Sequence, residues 1–414
     1  MRAKIKKKVF IDLFAGSGGL SLGLEEAGFD LALYNELNPS AAKTFYVNRK
    51  EKIDTGKIKY IADVKHVSGL GFKKVDLICG GPPCQGFSGI GHRRSYADEK
   101  ENMPKNKLYL EMIRVIKEAE PKLFLLENVR GLLSARWTQS SNNKGEIFID
   151  ILDTFYNQVG KKYDIRWDLI KCSDYGIPQN RPRIFIIGVR NDLRFTIKRH
   201  ILEIRQHGYG IEDGFFPRPS GIKPPDLDGL LSDLIDIDFE KNGYCTPKYP
   251  SDPKSEIQKE LRMHKNLEGY AKKGDPLKDQ QYSKHNARTI QRFNYMLKNE
   301  GRLDEYKTRK FAQRLLPPKW GSKGPTITAT SLPDDYVHFA QPRTLTVREW
   351  ARLQTFPDHY EFHGPRTTGG FRRAGFPNST AAEIDLPKYT QIGNAVPVLL
   401  AKQIGKHFIN ILEG

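Results

Sequence analysis

The sequence predicts an α/β protein: a parallel sheet of strand–helix–strand units, followed by a second, less regular domain. Three observations carry this. Residues 9–190 alternate short apolar runs with apolar residues at helical spacing, the pattern of βαβ units. A glycine-rich turn, Gly16-Ser17-Gly18-Gly19, joins the first run to the first helical segment. From about residue 191 the alternation degrades, and Pro217, Pro219, Pro224, Pro225, Pro247, Pro250 and Pro253 punctuate a stretch rich in Lys and Asp.

Taken in order, residues 9–13 form an apolar run ended by the glycine turn, which predicts a strand, and 20–27 predict a helix. Runs at 31–35, 75–79, 123–126 and 184–189 predict further strands. Over 108–119 the apolar residues fall at 108, 112, 113, 115, 116 and 119, one face of a helix packed on the sheet. Order returns at 344–354, a helix stopped by Pro357, and 397–412 predict a final amphipathic helix. The division is therefore 1–190, a separate domain over 191–340, and a return to the first domain over 341–414. There is no internal repeat and no long low-complexity segment.

A chain of 414 residues can bury a substantial core. No apolar stretch approaches the ~18–20 residues that span a bilayer, and the basic start leads into too short an apolar run for a signal peptide. A soluble, intracellular protein is the expectation. Cys79, Cys84, Cys172 and Cys245 form no CxxC pair and no zinc-like set with histidines, so reduced thiols and no metal are expected. The formal net charge is +18, and residues 241–325 hold 20 Lys/Arg against 9 Asp/Glu. Such an excess in one segment favours a polyanion partner.

Two strand ends carry the chemistry. The run at 75–79 breaks at Gly80-Gly81-Pro82-Pro83-Cys84-Gln85, which holds a cysteine on a rigid edge. The run at 123–126 delivers Glu127-Asn128-Val129 in the same way. A lone cysteine after a strand is commonly a small buried hydrophobe. A nucleophile beside an acid instead suits covalent attack on an electron-poor ring that is protonated as it is attacked.

At the first turn, glycines admit a ligand close to the helix N-terminal amides. Glu36 stands 20 residues after Gly16, at the end of the second strand, where a carboxylate can accept from ribose hydroxyls. NAD and S-adenosylmethionine both contain the adenine nucleoside that these features would hold. Gln179-Asn180-Arg181-Pro182-Arg183 precedes the strand at 184–189, and its two arginines, at i and i+2 on extended chain, point the same way. Gly393-Asn394, within Gln391-Ile392-Gly393-Asn394-Ala395-Val396-Pro397, reads as a turn before the last helix.

In Pro83-Cys84-Gln85, Glu127-Asn128-Val129, Phe14-Ala15-Gly16-Ser17-Gly18-Gly19, Gln179-x-Arg181-x-Arg183 and Gln391-Ile392-Gly393-Asn394, the chain resembles the C5-cytosine-specific DNA methyltransferases of restriction–modification type. The motifs stand in that family's linear order, and the resemblance is close over 8–190 and 341–412, about 60% of the chain. It implies a doubly wound, mostly parallel sheet with an antiparallel member, the class I S-adenosylmethionine-dependent methyltransferase fold, carrying a smaller target-recognition domain. It implies S-adenosylmethionine as cofactor, with S-adenosylhomocysteine as product. Phe14, Ala15, Gly16, Ser17, Gly19 and Leu20 would line its loop, with Pro83, Asn394 and Val396 beside them. Glu36 would hold the ribose, and Asp63 with Val64 the adenine; without the family, Asp63 reads as a helix cap.

By the same resemblance, Cys84 attacks C6 of cytosine, Glu127 protonates N3, Arg183 contacts the base carbonyl and Arg181 supports the phosphate and the catalytic loop. The polar, glycine-containing stretch 85–103 suits a loop that closes over a flipped base. Gln85 and Ser88 would approach the vacated stack, with Arg93 and Arg94 also on the DNA. Arg343, Arg348, Glu349, Arg352, Gln354 and Asp358 match a further family element, expected to brace the junction between domains. The family implies double-stranded DNA as partner, a cognate restriction endonuclease acting independently, monomeric action and a cytoplasmic, nucleoid-associated location in a bacterium or archaeon. One departure is an insertion between Phe362 and Tyr389, with Arg372 and Arg373, able to contact DNA or pack on the hinge. The rivals are an RNA cytosine methyltransferase on the same core and an inert DNA-binding regulator, against which intact Cys84, Glu127 and Arg183 argue.

Overall fold

The computed structural model describes residues 7–72, 74–83, 107–137, 143–193, 208–264, 269–303, 313–322, 324–329, 335–367 and 386–414. Its first half runs β1 (Val9–Leu13), α1 (Gly19–Ala27), β2 (Asp30–Asn35), α2 (Pro39–Val47), α3 (Lys50–Asp54), β3 (Lys59–Ile61), β4 (Leu77–Gly80), α4 (Leu108–Ala119), β5 (Leu123–Val129), α5 (Glu146–Val159), β6 (Tyr163–Lys171) and β7 (Pro182–Arg190). Among the described residues these strands form a seven-stranded sheet in the order β3-β2-β1-β4-β5-β7-β6. The first five pair parallel, and β7 runs antiparallel to both β5 and β6. The order reverses between β1 and β4, so the crevice at the carboxyl ends of those strands is the natural ligand site of this topology.

Alternate strand residues feed two cores. Ile11, Ile78, Phe124, Leu126 and Ile186 face α4 and α5, where Met112, Ile116, Ile151 and Phe155 meet them. Phe10, Leu77, Leu125, Phe185 and Ile187 face the other side, with Leu24 of α1. Such burial of both faces explains why the parallel strands read as continuous apolar runs. The expected strand at 123–126 extends to Val129, because antiparallel β7 supplies backbone partners that far, Glu127 opposite Phe185 and Val129 opposite Arg183.

Beyond β7 lie α6 (Leu227–Leu231), α7 (Glu256–Arg262), α8 (Ala287–Lys298), the short pair β8 (Arg314–Leu315) and β9 (Tyr336–Val337), α9 (Val347–Leu353), α10 (Lys388–Asn394) and α11 (Val398–Glu413). Ile404 and Phe408 of α11 join the core under α1, so the last helix packs against the same sheet face as the first. The helix expected over 344–354 begins at Val347, because Thr346 and Glu349 form a capping box there.

A buried charge cluster joins α6, α7 and α9. Asp233 accepts from Arg352 (2.6 and 3.0 Å) and from Arg262 (2.8 and 2.5 Å), and Arg352 also donates to Asp358 (2.9 and 2.6 Å). The Arg262 guanidinium lies 3.9 Å from the centre of the Tyr249 ring, and Tyr249 donates to Asp358. Two cations balance two anions, all of them shut away from water. Asp233→Ala leaves both guanidinium groups short of a counter-charge, with an expected cost of ~3–5 kcal/mol. Thermal or urea unfolding measures it, and a loss below ~1 kcal/mol would mean that water replaces the carboxylate.

Candidate active site

The chain turns sharply as it leaves β1. Phe14 takes φ 57°, a left-handed conformation uncommon in a non-glycine residue, and Gly16 and Gly18 take φ 56° and 82°. The turn is pinned from β2: the Phe14 amide donates to Asn35 Oδ1 (3.2 Å), Ala15 N to Asn35 O (2.9 Å) and Gly16 N to Glu36 Oε2 (2.9 Å). Asn35 in turn donates to the carbonyls of Ile61 and Ala62 at the end of β3. Three strand ends are thereby locked into one rim. Asp63, next on that rim, accepts from Lys65 N (3.0 Å) as the cap of a short 3₁₀ turn, and Val64 is buried.

Space around the turn is uneven. A Cβ added at Gly16 would meet nothing within 4 Å, so this position opens to a ligand. At Gly18 it would lie 2.7 Å from the Tyr360 hydroxyl, and at Gly19 2.5 Å from Val396 O. Ser17 Oγ donates to Gln391 O (3.2 Å), and Tyr360 donates to Ser17 O (2.6 Å). The segment 391–397 thus seats against the first turn, with Asn394 exposed and Val396 buried. Leu20 packs into the core under α1, so its contribution to a ligand is confined to its backbone.

The half-buried Glu36 also accepts from Asn38 N (2.7 Å); burial pushes its carboxyl up, and these backbone donors pull against the shift. Asp12 is a site residue that sequence reasoning passed over, although a carboxylate inside the run Val9–Leu13 was the visible signal. It lies beneath the turn, accepts from Ser21 Oγ (2.5 Å), and burial pushes it from 3.8 to about 7. Between those values the folded protein keeps a proton that the unfolded chain has released, so stability falls as pH rises, by up to ~1.4 kcal/mol per unit. Asp12→Asn is expected to flatten that slope in urea unfolding across the same window. Parallel curves for the two proteins would refute it.

The second cluster lies at the ends of β4, β5 and β7. Glu127 is buried and forms an ion pair with the equally buried Arg183, placed diagonally across the β5–β7 ladder. Burial pushes the Glu127 carboxyl up, and the charges of Arg183 and then Arg181 pull it down less strongly. A Cβ at Gly81 would sit 3.0 Å from Glu127 Oε2, and Asn128 Nδ2 donates to Pro82 O (3.1 Å). The chain leading to Cys84 is therefore fastened against the acid, with Cys84 two residues beyond the fastened carbonyl. Cys84, Gln85, Ser88, Arg93 and Arg94 lie outside the described residues, as do Arg372 and Arg373 of the insertion; Pro83 lies at their edge.

The two arginines expected to point the same way take different partners. Arg183 faces the acid, whereas buried Arg181, just before β7, donates to the carbonyls of Ile327 and Gly393. Beside it, Asn180 N donates to Pro325 O (2.7 Å), and Gln354 Nε2 to Ile392 O (2.8 Å). Arg181 is thus a strut joining three segments remote in sequence. A cavity of about 500 Å³ opens next to it, lined by Arg130, Asp168, Lys171, Asn180, Pro182 and Glu212.

Residues 9–410 match the family model described as C-5 cytosine-specific DNA methylase. Among curated proteins, the type II methyltransferase M.DdeI of Desulfomicrobium norvegicum is 30% identical over 96% of this chain and 87% of its own length. The type II methyltransferase M.Eco47II of Escherichia coli is 32% identical over 99% of this chain and 81% of its own. Among solved structures, a prophage-encoded E. coli protein assigned as a DNA modification methyltransferase superposes with a TM-score of 0.68 at 26% identity, covering 99% of this chain and 100% of that one.

Proposed function

The chain belongs to the C-5 cytosine-specific DNA methylases, a DNA (cytosine-5-)-methyltransferase family, and on that premise we propose that Cys84, Glu127 and Arg183 carry a covalent methyl transfer to a flipped-out cytosine. The observation that carries this reading is Glu127. It is a buried carboxyl whose acidity burial weakens, touching the loop that ends in the nucleophile.

C5 of cytosine is a weak nucleophile until a group adds at C6. The Cys84 thiolate forms the Sγ–C6 bond as Glu127 gives its proton to N3, which leaves an electron-rich enamine at C5. Arg183 orients Glu127 and meets the base carbonyl. S-adenosylmethionine supplies the methyl group on a sulfonium sulfur. A base then takes the C5 proton, the Sγ–C6 bond breaks to return the thiolate, and the N3 proton goes back to Glu127. The base must leave the helix for this, at a cost of a few kcal/mol.

The first turn fits that cofactor: Gly16 opens to free space, and the Glu36 carboxylate stands at the neighbouring strand end, as ribose hydroxyls require. Phe14, Ala15, Gly16, Ser17, Gly19 and the Leu20 backbone would hold it on one side, with Glu36, Asp63 and Val64 on the nucleoside. Pro83, Asn394 and Val396 complete the rim. Residues 191–340 serve target recognition, a reading that their basic excess supports, with Gln85, Ser88, Arg93 and Arg94 on the DNA near the flipped base. The type II relatives support the modification role of a restriction–modification pair, and the family reading adds action as a cytoplasmic monomer independently of its endonuclease. No helix among the described residues is long and apolar enough to cross a membrane.

Bisulfite sequencing of mixed-sequence duplex DNA, incubated with the protein and S-adenosylmethionine, tests the reading. Protected cytosines within one short motif are expected. Protection on RNA and none on DNA would overturn it.

A further inference from the structure

We propose that α8 is a recognition helix that lies in the major groove of the target duplex and reads base edges with Arg288 and Gln291. The inference rests on the functional reading above and adds the element that selects the site.

From Gln280 to Asn299 the chain contains no Asp or Glu, while Lys284, Arg288, Arg292 and Lys298 are all basic. Other long helices carry acids: α4 pairs Arg114 with Glu111 and Glu118, α5 holds Glu146, Asp150 and Asp153, and α11 ends in Glu413. A face without acids is open to a polyanion and has no carboxylate to repel it.

The fold then divides α8 in two. Phe293 and Met296 are fully buried and pack on Val337 of β9, with Leu303 and Leu315 around them. Arg292 is spent on Gln313, and His285 sets its ring edge against Phe293 while meeting Thr344. The opposite face presents Arg288, Gln291, Asn294 and Lys298, all exposed. None of the four has a hydrogen-bond or ion-pair partner among the described residues. Spacings of three and four residues place them along one stripe.

Their chemistry separates reading from mere attachment. Arg forks onto guanine O6 and N7, and Gln or Asn onto adenine N6 and N7, whereas lysines alone would give only phosphate affinity. At 1.5 Å per residue, the 12-residue helix is ~18 Å long, roughly five base pairs of duplex, and the groove is wide enough to admit it. The helix is also mounted on the active-site frame. Its support β9 pairs with β8, and the chain from β8 runs on to Ile327, whose carbonyl receives Arg181.

The test uses the full chain and duplexes that differ from the wild-type target at one base pair. Arg288→Ala and Gln291→Ala are each expected to shrink discrimination at one position by about tenfold or more, with kcat at saturating target DNA within about threefold. Arg288→Lys keeps the charge without the fork and is expected to lose the same discrimination, so the result does not depend on a truncation that unfolds the helix. Lys298→Ala is expected to weaken binding to all duplexes alike and to lower the salt slope by ~1. S-adenosylmethionine binding, unchanged in every variant, reports an intact fold. Wild-type discrimination at every position in both Arg288→Ala and Gln291→Ala would overturn the proposal, and so would a uniform loss across all sequences. A wild type that methylates no duplex would sink the functional reading, and this inference with it.

Discussion

Cys84→Ala is expected to abolish methyl transfer, by at least ~10⁴-fold, while leaving DNA and S-adenosylmethionine binding within a few-fold of wild type. The reason is that addition at C6 is what turns C5 into a nucleophile, and among the described residues the two buried cysteines offer no replacement. Cys79 is buried, with its thiol pushed well up by burial, and Cys172 is buried with its thiol pushed up to about 12, so neither supplies a substitute thiolate. Incorporation of labelled methyl into duplex DNA measures the loss, and gel-shift titration measures the retained binding. Turnover near wild type would end the covalent mechanism.

Glu127→Gln is expected to lower kcat by ~10²–10⁴, since an amide donates a hydrogen bond to N3 but cannot transfer a proton. The pH profile distinguishes this from a packing defect. Activity rises with pH as the Cys84 thiolate forms, and falls once Glu127 loses its proton. Burial raises the Glu127 carboxyl, so that falling limb lies above the ordinary glutamate range. In the glutamine variant the falling limb should vanish while the rising limb stays. A variant that keeps both limbs at reduced amplitude would show that another group is the acid.

Much of the first half was legible because its signals are local. The helix expected over 108–119 is α4, residue for residue, since an apolar face on a sheet leaves a periodic trace. The strands at 9–13 and 31–35 are ended by turn residues and were equally visible. Less visible were β6, whose exposed edge mixes charged with apolar residues, and the helices of the second region, whose packing partners lie far along the chain.

By itself, the sequence pointed to the candidate reacting groups and their frame: Cys84 after Pro82-Pro83, Glu127 at a strand end, the glycine turn with Glu36 behind it. These depend on neighbours within a few residues, and local chain geometry is enough to specify them. Only the tertiary structure decided which partners the arginines take. The register of antiparallel β5 and β7 turns Arg183 onto Glu127, while Arg181 closes on carbonyls 146 and 212 residues away. The same holds for Asp233, whose charge is tolerable only because folding brings Arg262 and Arg352 to it. Contacts between distant segments have no periodicity along the chain, and the cost of burying their charge is set by the partners that the fold assembles.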